Sequence, residues 1–417
     1  MDGSRPDRYA RVTTMTQAAI QELELRPGDF YDQFEILAVL GKGSYARVFA
    51  VRHPDYPGGP VALKLSRVPL TSETTAIRAL REIRVLQSLR NPHVVSILGH
   101  GMGSDERWYM VMELLEGCTL LEHHDFDIPM LPAEALHLVY QACVGLDEAH
   151  RLGIVHRDIK PENLWIERGT LQLKIIDFGL ARAWDPSVTI GEQATVGHML
   201  IGTPHYAQPE QVHTGILTPA SDVYSLGVVL YELLTGHVPF FPNESWARVV
   251  LRLAHKPVHW LGAHVKSEPS PIHTHLCAKT FSEALRSTVH AMLAKQPELR
   301  PATGGDAARL LARVLLDDYG VSVAAQLRIA GAETELIVPG SHTIGEQTGT
   351  IAVTGVGGQP RMLAKLDWLG SPADAVLSPI EHGICRVNGR AIERPVRLVA
   401  GSVIELGALR MQLDYPA

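Results

Sequence analysis

Two short strings concentrate reactive side chains in this sequence of 417 residues: His156-Arg157-Asp158-Ile159-Lys160-Pro161-Glu162-Asn163 and, further on, Asp177-Phe178-Gly179. Carboxylate and amide oxygens are the ligands that Mg²⁺ prefers, and Asp177 and Asn163 offer one of each. Upstream lies Gly41-Lys42-Gly43-Ser44-Tyr45-Ala46-Arg47-Val48, followed by Val61-Ala62-Leu63-Lys64. Its glycines let backbone N–H groups approach phosphates that a Cβ would keep away. Phosphoryl transfer is the chemistry that such groups suit. It asks a protein for in-line geometry and cations rather than for covalent help. Each string alone can occur by chance, and a lone G-x-G is as readily an ordinary hairpin turn. Their occurrence together, in this order, is the signal.

In that order the strings resemble the bacterial eukaryotic-type (Hanks-type) serine/threonine protein kinases. H-R-D-x-K-P-x-N is similar to the catalytic loop, D-F-G to the metal-binding loop and V-A-L-K to the strand motif V-A-I-K. The Gly-rich pattern G-x-G-x-x-G-x-V is met except at its third glycine, which is Ala46. The resemblance implies roles. Asp158 would lie near the attacking hydroxyl, and Lys160 would contact the transferred phosphate. Asn163 and Asp177 would hold Mg²⁺, with Mn²⁺ as a substitute. Lys64 would contact the α/β-phosphates and pair with Glu82. Thr203 would join Asp158 and Lys160 at the acceptor site. ATP would be held by Gly41, Lys42, Gly43, Val48, Ala62 and Met112, by the Glu113 carbonyl and by the Leu115 amide. Trp165 stands where the family often has an aliphatic residue under the adenine. Gly202-Thr203-Pro204-His205-Tyr206-Ala207-Gln208-Pro209-Glu210 resembles G-T-P-x-Y-x-A-P-E, with Gln208 in place of alanine. Glu210 would pair with Arg300, and Asp222 would support the catalytic-loop backbone. Arg157 would receive a phosphate from the segment 180–201, where Ser187, Thr189 and Thr195 are candidates and Thr195 is favoured for its distance before Thr203.

The elements that must position these residues follow from periodicity. Phe34 to Leu40 and Phe49 to Val51 read as strands around the glycines, and Trp108 to Met112 as a buried strand. Ile77, Leu80, Ile83, Leu86 and Leu89 recur at three-residue spacing, which predicts a helix over 73–90 ended by Asn91-Pro92. Glu82 sits in its middle, and Glu73 is a first-turn acid. A long helix from Pro132 to Leu152, ended by Gly153, delivers the chain into His156. Leu173 to Ile176 is the strand that presents Asp177. Leu226 to Leu234 reads as a buried helix, and Ala307 to Leu316 as the last one, broken by Asp317-Asp318-Tyr319-Gly320. Plainer readings stand beside these: a strand lysine is usually a solvated charge, and Met112 also suits an ordinary core.

Composition bounds the rest. With 46% hydrophobic and 20% charged residues, the chain reads as a soluble globular protein of two or three domains. A net charge of −7 gives no basic face for nucleic acid. Cys118, Cys143, Cys277 and Cys385 form no C-x-x-C pair and are expected to be free buried thiols. Residues 1–33 form a polar lead without an apolar signal region, and no run of 18 apolar residues predicts a membrane span. His255, His259, His264, His273 and His275 invite a metal site. Against it, Pro257, Pro269 and Pro271 should interrupt any helix able to align ligands.

The last fifth, 331–417, is rich in glycine and β-branched residues. Arg386 to Ile392 and Leu398 to Gly407 resemble the C-terminal half of forkhead-associated (FHA) domains, and Val338 to Gly345 resembles their opening strand. FHA domains read phosphothreonine through an arginine after I-G and a serine and histidine nearby. Here Glu346 takes the arginine position, and Gln359 to Ala364 holds neither serine nor histidine. A generic small β-sandwich is the alternative. The expected fold is α+β: a bilobal kinase fold over 34–318 (small lobe 34–113, large lobe 118–318), then a small all-β FHA-like sandwich. The expected activity is cytoplasmic transfer of the ATP γ-phosphate to Ser/Thr of protein substrates. The tail would dock a partner or the kinase lobes. A silent scaffold and a small-molecule kinase are the competing readings.

Overall fold

The computed structural model describes residues 24–43, 46–69, 83–178, 204–213, 215–330, 332, 334–353, 359–368, 370, 374–381 and 383–416. The chain divides into two compact units, one of residues 1–90, 95–117 and 179–201, the other of 91–94, 118–178 and 202–417.

In the first unit, alternating apolar residues build one antiparallel sheet. Its strands are β1 (Phe30–Tyr31), β2 (Phe34–Lys42), β3 (Ala46–Arg52), β4 (Val61–Ser66), β5 (Ile97–Met102) and β6 (Trp108–Glu113), in the order β1-β2-β3-β4-β6-β5. Side chains alternate across a strand, so Ile36, Phe49, Val51, Val61, Leu63, Leu65 and Val111 gather in one apolar core. The glycine hairpin keeps its ladder to the tip, with Gly41 opposite Val48 and Lys42 opposite Arg47. Of the expected helix over 73–90, residues 83–86 are helical, and Glu82 lies outside the described residues.

The second unit opens with β7 (Gly117–Thr119), β8 (Leu164–Glu167) and β9 (Leu173–Ile175), a small three-stranded sheet. Its described helices are α1 (Leu120–His123), α2 (Pro132–Arg151), α3 (Pro209–His213), α4 (Pro219–Thr235), α5 (Trp246–Leu253), α6 (Pro257–Lys266), α7 (Glu283–Met292) and α8 (Gly304–Tyr319). Pro132 and Pro219 sit in the first turns of α2 and α4, where a missing N–H costs nothing. α4 is apolar around its circumference and is buried from Ala220 to Thr235. Gly227 lets α7 approach: a Cβ there would stand 2.8 Å from Met292 Cβ. α8 extends beyond the expected 307–316 because Thr303 and Asp306 form a capping box at its start and Gly320, at φ 67°, ends it.

Two expectations are corrected here. Pro257 does not interrupt a helix but starts α6, which carries His259 and His264. Cys277 is exposed, unlike the buried Cys143 and Cys385.

The chain then forms β10 (Ala325–Ile329), β11 (Glu335–Ile337), β12 (Gly340–Glu346), β13 (Ile351–Val353), β14 (Arg361–Trp368), β15 (Val376–Pro379), β16 (Cys385–Val387), β17 (Arg390–Ala391), β18 (Val396–Arg397), β19 (Ser402–Leu406) and β20 (Leu409–Asp414). One sheet runs β11-β10-β20-β19-β16-β17 and the other β13-β12-β14-β15-β18. Leu327, Ile404 and Leu413 of the first share a core with Ile344, Leu366, Trp368 and Leu377 of the second. The stretch read as an opening strand is therefore the third strand, because β10 and β11 precede it.

Candidate active site

The loop from Ile154 to Asn163 is built by hydrogen bonds to its own backbone. α2 ends at Arg151, and Gly153, at φ 74°, turns the chain. Three and four residues later, Asp222 of α4 accepts from the backbone N–H of His156 at 2.7 Å and of Arg157 at 2.9 Å. Arg157 sits at φ 69°, a conformation that a non-glycine residue adopts only when its surroundings impose it. Burial opposes ionisation of Asp222, but the hydrogen bonds from His150 and from the Arg157 N–H hold its carboxyl below the usual range. His156 is fully buried. Its Nδ1 accepts from the Asp158 N–H at 3.3 Å, so Nε2–H donates to the Ile176 carbonyl at 3.1 Å. Burial pushes its pKa down, consistent with that neutral tautomer.

Asp158, Lys160 and Asn163 come together on this frame. Lys160 Nζ lies 2.9 Å from Asp158 Oδ2. Asn163 Nδ2 donates to the Asp158 carbonyl at 2.7 Å and to Oδ2 at 3.1 Å. With its nitrogen so used, the Asn163 amide turns its oxygen the other way. Ile176 N–H donates to the Asn163 carbonyl at 2.9 Å, which ties the strand end before Asp177 to the loop. Asp177 is at φ 59°, a second backbone outlier, and Phe178 packs on His156 with ring centroids 4.7 Å apart. Oxygens from a carboxylate and a primary amide on two tied segments fit a hard cation such as Mg²⁺. Trp165 lies on β8 opposite Lys174, and its buried indole Nε1 finds no hydrogen-bond partner among the described residues.

In the first unit, cross-strand register sorts the remaining predicted residues onto one face. Val48 opposes Lys64, Lys64 opposes Met110, and Ala62 opposes Met112. Directly opposed residues share a face. That face is the reverse of the apolar core, which takes Phe49, Leu63 and Val111. Glu113 ends β6, where its backbone N–H donates to the Ser96 carbonyl and its carboxylate accepts from the Ser96 N–H at 2.7 Å. Leu115 follows in a stretch without strand structure, and Gly41, Lys42 and Gly43 stand at the hairpin tip. Glu82, Thr203, Ser187, Thr189 and Thr195 lie outside the described residues.

Arg300 and Glu210 form a two-pronged ion pair, with Nη1 to Oε1 at 2.8 Å and Nη2 to Oε2 at 2.9 Å. The arginine side chain is wholly buried, lies over the Tyr224 ring and also donates to the carbonyls of Ala294, Ala220 and Lys295. Ser221 Oγ–H donates to Glu210 at 2.6 Å. Burial works against the Glu210 charge, and Arg300 and Ser221 outweigh it, so its pKa is lowered. Gln208, where the motif has alanine, donates its Nε2–H to Ser225 Oγ of α4 at 2.6 Å, and its buried Oε1 has no partner among the described residues.

Two residues escaped the sequence reading. His150 bridges Asp222, at 3.0 Å from Nε2, to the Gly304 N–H. Glu232 accepts from His205, Tyr206 and the Trp246 indole at 2.6, 2.9 and 3.0 Å. The signal for the second was present: one acid in the apolar run Val228 to Leu234 must find partners.

A family profile described as protein kinase domain matches residues 34–313. Among curated proteins, the chain is 34% identical over 297 residues to serine/threonine-protein kinase PknB of Mycobacterium leprae, covering 69% of this chain and 44% of that one. It is 38% identical over 221 residues to serine/threonine-protein kinase PrkC of Bacillus subtilis, covering 53% and 33%. The chain thus spans less than half the length of these relatives. Among solved structures, the PknI kinase domain of Mycobacterium tuberculosis superposes with a TM-score of 0.51 at 20% identity, covering 70% of this chain and all of that one, a likeness of fold.

Proposed function

The chain belongs to the protein kinase family, and on that premise we propose that it transfers the γ-phosphate of ATP to serine and threonine hydroxyls of proteins. The observation that carries the reading is the Asp158 carboxylate held between Lys160 and Asn163 on a backbone pinned by Asp222. Asp158 orients the acceptor hydroxyl and takes its proton late in transfer. Lys160 offsets charge on the migrating phosphoryl group, which loosens its own pairing with Asp158 as the nucleotide arrives. Asn163 and Asp177 would hold Mg²⁺, which would offset negative charge on the phosphates. On the sheet face, Lys64 would meet the α/β-phosphates and Glu82 would pair with it. Val48, Ala62 and Met112 would pack on the adenine, the Glu113 carbonyl and Leu115 N–H would read its edge, and Trp165 would form its floor. The test is incubation with labelled ATP and Mg²⁺ followed by phosphosite mapping. Label on Ser or Thr is expected, and none at all with intact ATP binding would favour a scaffold.

We further propose that residues 331–417 are an FHA-like domain that does not read phosphothreonine. A phosphate needs cations or N–H donors facing it. Glu346 is buried, Arg361 is engaged with Glu381 at 2.6 Å, and His342 is buried with Nε2 2.8 Å from the Val338 carbonyl. Among the described residues no helix is long and apolar enough to cross a membrane. A cytoplasmic site of action is part of the same reading.

A further inference from the structure

The sandwich is seated on α2 and α8. Tyr140 of α2 donates its hydroxyl to the Val323 carbonyl at 2.9 Å, just before β10. Arg313 of α8 donates to the Thr334 carbonyl at 3.3 Å, just before β11. Gly340 of β12, at φ 148°, lies against the guanidinium of Arg151: a Cβ there would stand 2.9 Å from Cζ. His342 is enclosed beside it, in the field of Arg151, Arg309 and Asp147. Burial pushes its pKa down to about 4, so the ring is neutral near neutrality and does not repel the two arginines.

Arg151 is the last residue of α2 and pairs with Asp147 one turn back. Asp147 accepts from the Gly305 N–H at 2.8 Å, at the first turn of α8. The neighbouring Gly304 N–H donates to His150 Nδ1 at 3.1 Å, and His150 Nε2 meets Asp222 at 3.0 Å. Asp222 holds the backbone of His156 and Arg157. Neither glycine admits a side chain: a Cβ at Gly304 would stand 2.9 Å from Asp147 N, and one at Gly305 2.7 Å from Asp147 Cγ. The end of α2, the start of α8 and the catalytic loop are thus joined by a run of hydrogen bonds, and the sandwich meets its outer end at Arg151.

We propose that the sandwich is an intramolecular clamp, whose seat on Arg151 positions the catalytic loop through Asp147, the Gly304-Gly305 turn, His150 and Asp222. The tail thus lies on the faces of α2 and α8 that carry Tyr140, Arg151 and Arg313. Arg151 and Gly340 are positioning residues, and the consequence for rate rests on Asp158 being the catalytic group.

The test uses the full chain. Gly340→Ala places a methyl against Arg151 at a φ that side chains disfavour. Amide hydrogen exchange at His156 and Arg157, the two donors to Asp222, should quicken about ten-fold. kcat on a peptide that the wild type phosphorylates should fall by about ten-fold, with KM for ATP changed less than about two-fold. If Gly340→Ala fails to fold, Tyr140→Phe, which removes one seating bond, should give smaller changes in the same direction. Faster exchange over 338–343 with unchanged exchange at His156 and Arg157 would overturn the clamp. A wild type that transfers no phosphate would instead defeat the kinase reading, while the exchange comparison still decides the clamp.

Discussion

At Asp158 the carboxylate shares one oxygen, Oδ2, between Lys160 and the Asn163 amide. An amide in its place keeps the size and loses the charge that draws the acceptor proton. Asp158→Asn should therefore cut phosphotransfer by about 10²–10⁴-fold while leaving Mg·ATP affinity largely intact. Asp177→Asn should cut both, since it removes a charged oxygen from the proposed cation site. Equilibrium nucleotide binding beside single-turnover transfer separates the two. Trp165 makes a different prediction, because its buried N–H has no partner among the described residues. Its ring against the adenine should change tryptophan fluorescence when ATP is added, and Trp165→Leu should alter that change. An unaltered signal in protein shown to bind ATP would place the ring elsewhere. At this scale the sequence was highly informative, since H-R-D and D-F-G name side chains directly. His150 was not legible, because its role depends on which helix end meets which.

At the scale of elements, α4 ties the pieces together. It supplies Asp222 to the loop of His156 and Arg157, Ser221 to Glu210 and Glu232 to His205 and Tyr206. Glu210→Gln leaves the wholly buried Arg300 guanidinium without its charge partner and should cost about 3–5 kcal/mol in denaturant unfolding. The pH dependence has a definite sign. Glu210 has a lowered pKa in the fold, so its stabilisation is complete above the unfolded value, about 4.3, and disappears as pH falls through the folded one. The stability gap between wild type and Glu210→Gln should be constant near neutrality and close below about pH 4. A gap unchanged in acid would contradict the ion pair. Strand and helix periods made β2, β3, α2 and α4 readable in advance. Pro257 misled because the same residue both breaks helix interiors and favours first turns, and only the surrounding fold selects between them.

For the whole molecule, what the sequence carried least clearly was the tail. Its strands are short, and its pairing is long-range, so no local pattern dictates the register. Glu346 could be read as a missing cation from its place after Ile344-Gly345, but the seat of Gly340 on Arg151 could not. An isolated 325–417 fragment, if it folds, should show no micromolar affinity for phosphothreonine peptides that vanishes on dephosphorylation. Regulation through Arg157 predicts a phosphate between Leu180 and Ile201 in active protein, at Thr195 in first place, and mass spectrometry showing none would remove that route. The claim on which all of this rests is phosphoryl transfer at Asp158. Purified full-length wild type and Asp158→Asn, each given labelled ATP and Mg²⁺, test it most directly: label on Ser and Thr in the wild type and almost none in the variant is the expected result, and equal labelling of the two would contradict the account.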